Sequence, residues 1–201
     1  MIHQLILRWV VTGLFALPAA ECGLAIVTKG RPWRAVVGHG LHLLMAVAMA
    51  VMAWPWSARL PSTGPAVFFL LACVWFVTTA VVAPRQTAPR VLYGYHGLMM
   101  LATAWMYVTM NGHLLTVRSS AQHDIAMPGM DMPASSASPL WVGAVNWCGT
   151  VVFAVAAAFW TSRYVVERQH GAARLRTLGS LGQAMMASGM AILFLAMLFR
   201  I

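Results

Sequence analysis

Apolar stretches of about 20 residues recur six times along the chain, over 5–27, 35–54, 66–83, 91–110, 140–162 and 179–199. Each is long enough, as a helix rising 1.5 Å per residue, to cross a hydrocarbon core of about 30 Å. A barrel strand would cross in about 9–11 residues of strict alternation, and no such alternation is present. The pattern predicts an all-α membrane protein: a six-transmembrane-helix bundle of three tandem helical hairpins, forming one integral membrane domain over 1–201. Arg8 interrupts the first stretch early, and Pro18, Glu21 and Cys22 make a poor small-residue cleavage site. That stretch is therefore expected to stay as a helix.

The polar residues between the stretches set the expected orientation. The short connections at 28–34, 84–90 and 163–178 hold Lys29, Arg31, Arg34, Arg85, Arg90, Arg163, Arg168, Arg174 and Arg176, nine of the 13 Lys and Arg residues. Arg8, Arg59, Arg118 and Arg200 fall on the other side. The positive-inside rule then places both termini outside the cytoplasm, in a multi-pass protein of the bacterial plasma membrane.

Composition agrees, and changes how the charge is read. Hydrophobic residues make up 61% of the chain and charged ones 8%, too few to keep a soluble surface wet. The net charge of +9 thus reports topology rather than a nucleic-acid footprint, and the partner it implies is the lipid bilayer.

The methionines carry the chemistry. Of 15, Met1 is the initiator, and Met127, Met130 and Met132 lie in the polar 111–139 segment. The other eleven all fall in the second, fourth and sixth stretches: Met45, Met49, Met52, Met99, Met100, Met106, Met110, Met185, Met186, Met190 and Met197. Gap-filling in a core predicts a scatter over all six, unless the even helices are simply the most enclosed. At 100° per residue, His42, Met45, Met49 and Met52 share an arc of about 80°, as do His96, Met99, Met106 and Met110. Gln183, Met186, Met190 and Met197 do the same on the sixth helix. Aligning LHLLMAVAMAVM (41–52), YHGLMMLATAWM (95–106) and LGQAMMASGMAI (181–192) matches His42, His96 and Gln183, then Met45, Met99 and Met186. Met49, Thr103 and Met190 match next; Met52 and Met106 stand opposite Leu193.

If the even helices run in one direction, these positions form a ladder of thioethers above two imidazoles and an amide. His39 lies one turn inside His42 and extends it. Thioethers favour Cu(I), and imidazole accepts copper or zinc. The expected metal residues are therefore His42, Met45, Met49, Met52, His96, Met99, Met106, Met110, Met186 and Met190, with Gln183 and His39 as polar partners. Of these, His42, Met45, Met49, His96, Met99, Met186 and Met190 are expected to line one cavity on the bundle axis.

The segment 111–139 supports the same ion from a different direction. It is rich in Ser and Pro, which predicts a flexible loop. Within it H-D-I-A-M-P-G-M-D-M (123–132) supplies His123, Met127, Met130 and Met132, and His113 stands near its start. Methionines on such a segment serve no core, so they read as a capture device for the metal.

The remaining polar residues say less. Cys22, Cys73 and Cys148, one per odd helix, read as packing residues, and no C-x-x-C motif is present. Glu21 reads either as a proton or cation contact or as a partner of Arg31 or Arg34. Asn146 is expected to tie helices together by a hydrogen bond. There is no nucleotide-binding loop, no Ser–His–Asp constellation and no carboxylate pair for acid–base work, so the chain reads as a non-enzyme.

The H-x-x-M-x-x-x-M-x-x-M of the second helix, H-x-x-M-M-x-x-x-x-x-M of the fourth and M-x-x-x-M of the sixth resemble an uncharacterised bacterial multi-pass family with His/Met-rich helices. The pairs Met45/Met49, Met106/Met110 and Met186/Met190 are also similar to the filter of trimeric high-affinity copper transporters, where each subunit supplies one such helix. Here the Met106/Met110 pair is out of register, and one chain supplies all three helices, so that likeness is read as convergent chemistry. Two other readings stay open. One is a b-type haem protein with His42 and His96 as axial ligands. The other is a non-catalytic subunit of a membrane complex such as a respiratory oxidase.

Overall fold

The computed structural model describes residues 5–27, 33–82, 87–110, 140–170 and 174–199. Among these residues there are six long helices and no strand. They are α1 (Leu5–Val27), α2 (Trp33–Met52), α3 (Thr63–Val82), α4 (Thr87–Met110), α5 (Leu140–Gln169) and α6 (Arg174–Phe199). A short 3-10 turn, Pro55–Arg59, follows α2. Five of the six, all but α4, are long and apolar enough to cross a membrane. At 24 residues α4 has the length, but Tyr93, Gly94, Tyr95, His96 and Gly97 interrupt its apolar run.

The helices fall into two compact units, one holding α1, α2, α5 and α6 and the other α3 and α4. In the first unit α1 packs on both α2 and α6, and α6 on α5. The α1–α2 pair is fastened where α2 ends. Thr12 Oγ1 donates to the Arg8 carbonyl at 2.8 Å and accepts from Trp54 Nε1 at 3.3 Å. The Trp9 and Trp54 rings meet edge to face at 5.4 Å. Ser57 Oγ closes the turn by donating to the Trp54 carbonyl at 2.7 Å.

Glycines set the approach of α6 to its neighbours. Gly189 lies under the Phe15 ring of α1, and Gly182 lies under Pro18 and Glu21. Seven residues apart, the two glycines share one stripe of α6, the small-residue surface that lets membrane helices come close. On the α5 side Gly149 lies under Phe194, which stacks on Phe153 at 5.7 Å. At the far end of that pair Ser180 Oγ donates to Glu167 Oε2 at 2.5 Å, and Arg163 pairs with Glu167 Oε1 at 3.0 Å. Rising numbers on α1 thus meet falling numbers on α6, and α5 meets α6 likewise. Both pairs are antiparallel.

The second unit is an antiparallel pair by the same logic. Phe69 stacks on Tyr107 at 6.0 Å, Phe76 meets His96 at 5.6 Å, and Gly97 lies against Cys73, Phe76 and Val77. Arg90 reaches across to donate to the carbonyls of Ala80 and Val81 at 3.1 and 3.0 Å. Those two carbonyls belong to the last turn of α3, which has no intrahelical donors left for them. The guanidinium therefore caps α3 from its neighbour.

Candidate metal centre

His42 lies in the first half of α2 and is 5% exposed. Its Nδ1 is 2.8 Å from the Gly38 carbonyl oxygen, one helical turn earlier. A carbonyl can only accept, so Nδ1 carries the hydrogen, and in the neutral ring the lone pair is on Nε2. That is the arrangement common to metal-binding histidines, in which a backbone carbonyl fixes tautomer and ring orientation. Gly38 is not among the residues that the sequence pattern singles out; its signal there is only the G-x-x-x-H spacing.

Met45, Met49 and Met52 follow on the same face and are buried, the first two fully. At 100° per residue this face stands roughly 150° from the residues that α2 turns toward α1. Those residues, Ala46, Val47, Ala50 and Val51, line a groove with Thr12, Phe15, Ala16 and Ala19. The His/Met face is thus buried without being the face that α1 covers. His39, half-buried, lies between the two sectors.

On α6, Met186 and Met190 are also buried, at 2% and 0% exposure. They occupy the sector between the glycine stripe under α1 and Phe194 under α5, about 40° and 80° round from Gly182. Gln183 falls in the same sector and is half-buried. Since α2 and α6 both run antiparallel to α1, their methionine rows run in the same direction.

The second unit repeats the arrangement by itself. Met99, Met100 and Met106 of α4 are buried, with Thr103 between them donating its Oγ1 to the Met99 carbonyl at 2.8 Å. His96 is half-buried, its ring edge-on to Phe76, and Met110 is half-buried at the end of the helix. Met99, Met106 and Met110 lie about 120° from the sector that faces α3, whereas His96 and Met100 lie within that sector. Met100, fully buried, is absent from the expected ligands because its phase lies outside the arc.

Burial alone does not distinguish ligand from filler. In their most apolar stretches α2 and α6 are 28% and 50% buried, against 17–22% for α1, α3 and α5. The methionine-bearing helices of the first unit are therefore also its more enclosed ones, and thioethers pack such positions well. The Nδ1–H bond of His42 is likewise what any buried imidazole needs, and exposed His170 makes the same bond to the Val166 carbonyl at 2.8 Å.

Among the described residues no three His, Cys, Asp or Glu side chains are placed to hold one ion. Any ion seated there would draw mainly on thioether sulfur, a donor that hard cations decline. Cys22, Cys73 and Cys148 are free thiols. Asn146 is buried on α5. Arg34 lies over the Trp33 ring, while the Glu21 carboxylate is seated over Gly182. Of the two readings of Glu21, its pairing with Arg34 is not seen, and the other cation named for it, Arg31, lies outside the described residues. His113, His123, Met127, Met130 and Met132 lie outside the described residues.

Comparison with known proteins places the chain. No solved structure matches it. Uncharacterized proteins of Mycobacterium bovis and Mycobacterium tuberculosis are each 67% identical to it over 208 residues, covering 99% of this chain and 99% of the relative. Residues 34–197, from the start of α2 nearly to the end of α6, match the family described as Domain of unknown function (DUF5134), and the chain belongs to that family.

Proposed function

We propose that this protein binds Cu(I) within the membrane through His42 and the methionines that follow it, and hands the ion on along the methionine rows. The observation that carries the reading is the buried His42 ring, its Nδ1–H held by the Gly38 carbonyl, on the helix face that also carries the buried Met45 and Met49. Side chains three and four residues apart on a helix stand about 5–6 Å apart at Cβ. Two donors with metal bonds of about 2.0–2.3 Å bridge that gap. His42 with Met45, and His96 with Met99, each offer such a pair. Met186 and Met190 offer a thioether pair one turn apart. Low-coordinate Cu(I) accepts sulfur with imidazole, whereas Mg and Ca need oxygen cages.

The membrane frame belongs to the same proposal. All six helices cross as three tandem hairpins, both termini lie outside, and the 111–139 segment faces outward with its His/Met cluster as a capture device. The charge distribution supports that orientation, and the membrane is the bacterial plasma membrane. Single cysteines introduced at 111–139 and at 163–170 check it. Impermeant maleimide should label the first set from outside intact cells and the second only after permeabilisation. Equal labelling of both sets from outside would refute the orientation.

Replacing His42 by leucine tests the site. The change removes a polar group from an apolar setting, so the fold should persist. Bound copper per chain should fall after anaerobic Cu(I) loading and a chelator wash. Unchanged stoichiometry and affinity would remove His42 from the ligand set.

A further inference from the structure

Glu21 is the one carboxylate within the apolar part of any described helix, and the copper reading makes no use of it. The other described acid, Glu167, is engaged by Arg163 and Ser180 at the end of α5. Glu21 lies one turn beyond Pro18 on α1, and both side chains rest on Gly182 of α6. The fit depends on the glycine, because a Cβ at position 182 would overlap Glu21 Oε2. Oε1 is shielded and has no hydrogen-bond partner among the described residues.

Among the described side chains no cation is paired with Glu21; those of Lys29, Arg31, Arg174 and Arg176 lie outside them. From Thr177 to Phe199, α6 carries no titratable side chain. On α2 the titratable or charged groups are Arg34, His39 and His42, and on α1 they are Arg8 and Cys22. Arg34 lies over Trp33, and His42 gives its Nδ1–H to Gly38. His39 stands at about the same distance from the 28–32 connection as Glu21, on the sector of α2 nearer α1. A bare carboxylate in such a setting is strongly disfavoured, as any unpaired charge in hydrocarbon is. Intramembrane acids persist where they bind and release something, and the smallest occupant that neutralises this one is a proton.

We propose that Glu21, held in the notch at Gly182 between α1 and α6, is an exchangeable proton-binding site inside the membrane. The notch fixes the carboxyl at the helix interface instead of letting it swing toward the headgroups. A proton bound there is released and rebound as the α1–α6 contact opens and closes, which gives the protein a way to couple a conformational step to protons. This reading stands apart from copper, since none of the proposed metal donors takes part.

Dicyclohexylcarbodiimide provides the test on the metal-free full chain in lipid nanodiscs. The acid O–H adds across one C=N bond, oxygen to carbon and hydrogen to nitrogen. The product rearranges to an N-acylurea of the same mass with nothing lost. The expected result is one adduct, mapping to Glu21, whose yield falls to background as pH rises. Glu21→Gln should lose it while keeping its thermal melt. Gly182→Ala places a methyl against the carboxyl tip rather than any backbone, so the fold should hold and the pH profile of labelling should shift. Absence of the adduct at every pH, or a yield that ignores pH, would overturn the proposal. A Gly182→Ala profile identical to that of the parent protein would overturn the notch. The infrared difference spectrum between acidic and alkaline pH gives a second readout. A carboxyl C=O band that vanishes in Glu21→Gln is expected, and its persistence in that variant would count against Glu21.

Discussion

Exchanging Met49 and Met190 together for leucine is expected to lower copper binding within the membrane while leaving the protein folded. Both side chains are fully buried, Met49 on α2 and Met190 on α6. Leucine nearly conserves their volume, so each exchange should cost less than about 1.5 kcal/mol. What disappears is one sulfur from each row, with Met45, Met52 and Met186 left in place. The opposite variant removes residues 123–132, and with them His123, Met127, Met130 and Met132. A tethered cluster raises local ion concentration into the millimolar range for linkers of about this kind. Its loss should therefore weaken acquisition at low external copper and leave the helical site able to fill at high copper. Metal analysis of both variants separates the two roles. If the deletion alone empties the protein at saturating Cu(I), the buried methionines are packing. If neither variant loses copper, both clusters are incidental.

The second large effect is on the fold itself. Gly189→Ala should destabilise the first unit by about 1–3 kcal/mol, the usual cost of overpacking a filled interior. The new Cβ would lie 2.7 Å from the Phe15 ring, which is fully buried. Gly149→Ala should act similarly, because Phe194 is held at 2.8 Å from the new atom by its stack on Phe153. Gly143→Ala is the control. It lies on α5 with open space around its missing side chain, and alanine favours the helix, so stability should hold or rise slightly. Equilibrium unfolding in mixed micelles would rank the three. A Gly189→Ala protein as stable as Gly143→Ala would mean that α1 and α6 do not meet as closely as Phe15 and Gly189 indicate.

The helices are readable from apolar run length because the membrane imposes a minimum that few soluble helices match. Their ends are less readable. The run at 35–54 overshoots α2, since the apolar character continues through Ala53 and Trp54 while Pro55 and Ser57 turn the chain into a 3-10 segment. The run at 140–162 undershoots α5, because Arg163 and Glu167 lower hydropathy while their i,i+4 pair helps the helix continue to Gln169. Helical phase correctly groups His42, Met45, Met49 and Met52 on one buried face, and likewise Met99 with Met106. It carries no information on which neighbour covers a face, so it does not show that the α2 row turns away from α1 or that His96 of the α4 row meets Phe76 of α3. Nor does it single out Gly182 and Gly189, whose role depends on Pro18, Glu21 and Phe15 standing opposite them. The Gly38 carbonyl is invisible for a related reason: backbone acceptors have no letter in the sequence.

X-ray absorption at the copper edge, on the 123–132 deletion loaded with Cu(I) without oxygen and washed with chelator, tests the central claim most directly. With the outer cluster gone, any retained copper reports the helices. The account predicts a low-coordinate Cu(I) spectrum with sulfur at about 2.3 Å and an imidazole nitrogen at about 2.0 Å, values typical of such donors. No retained copper, or a shell of oxygen and nitrogen without sulfur, would contradict it.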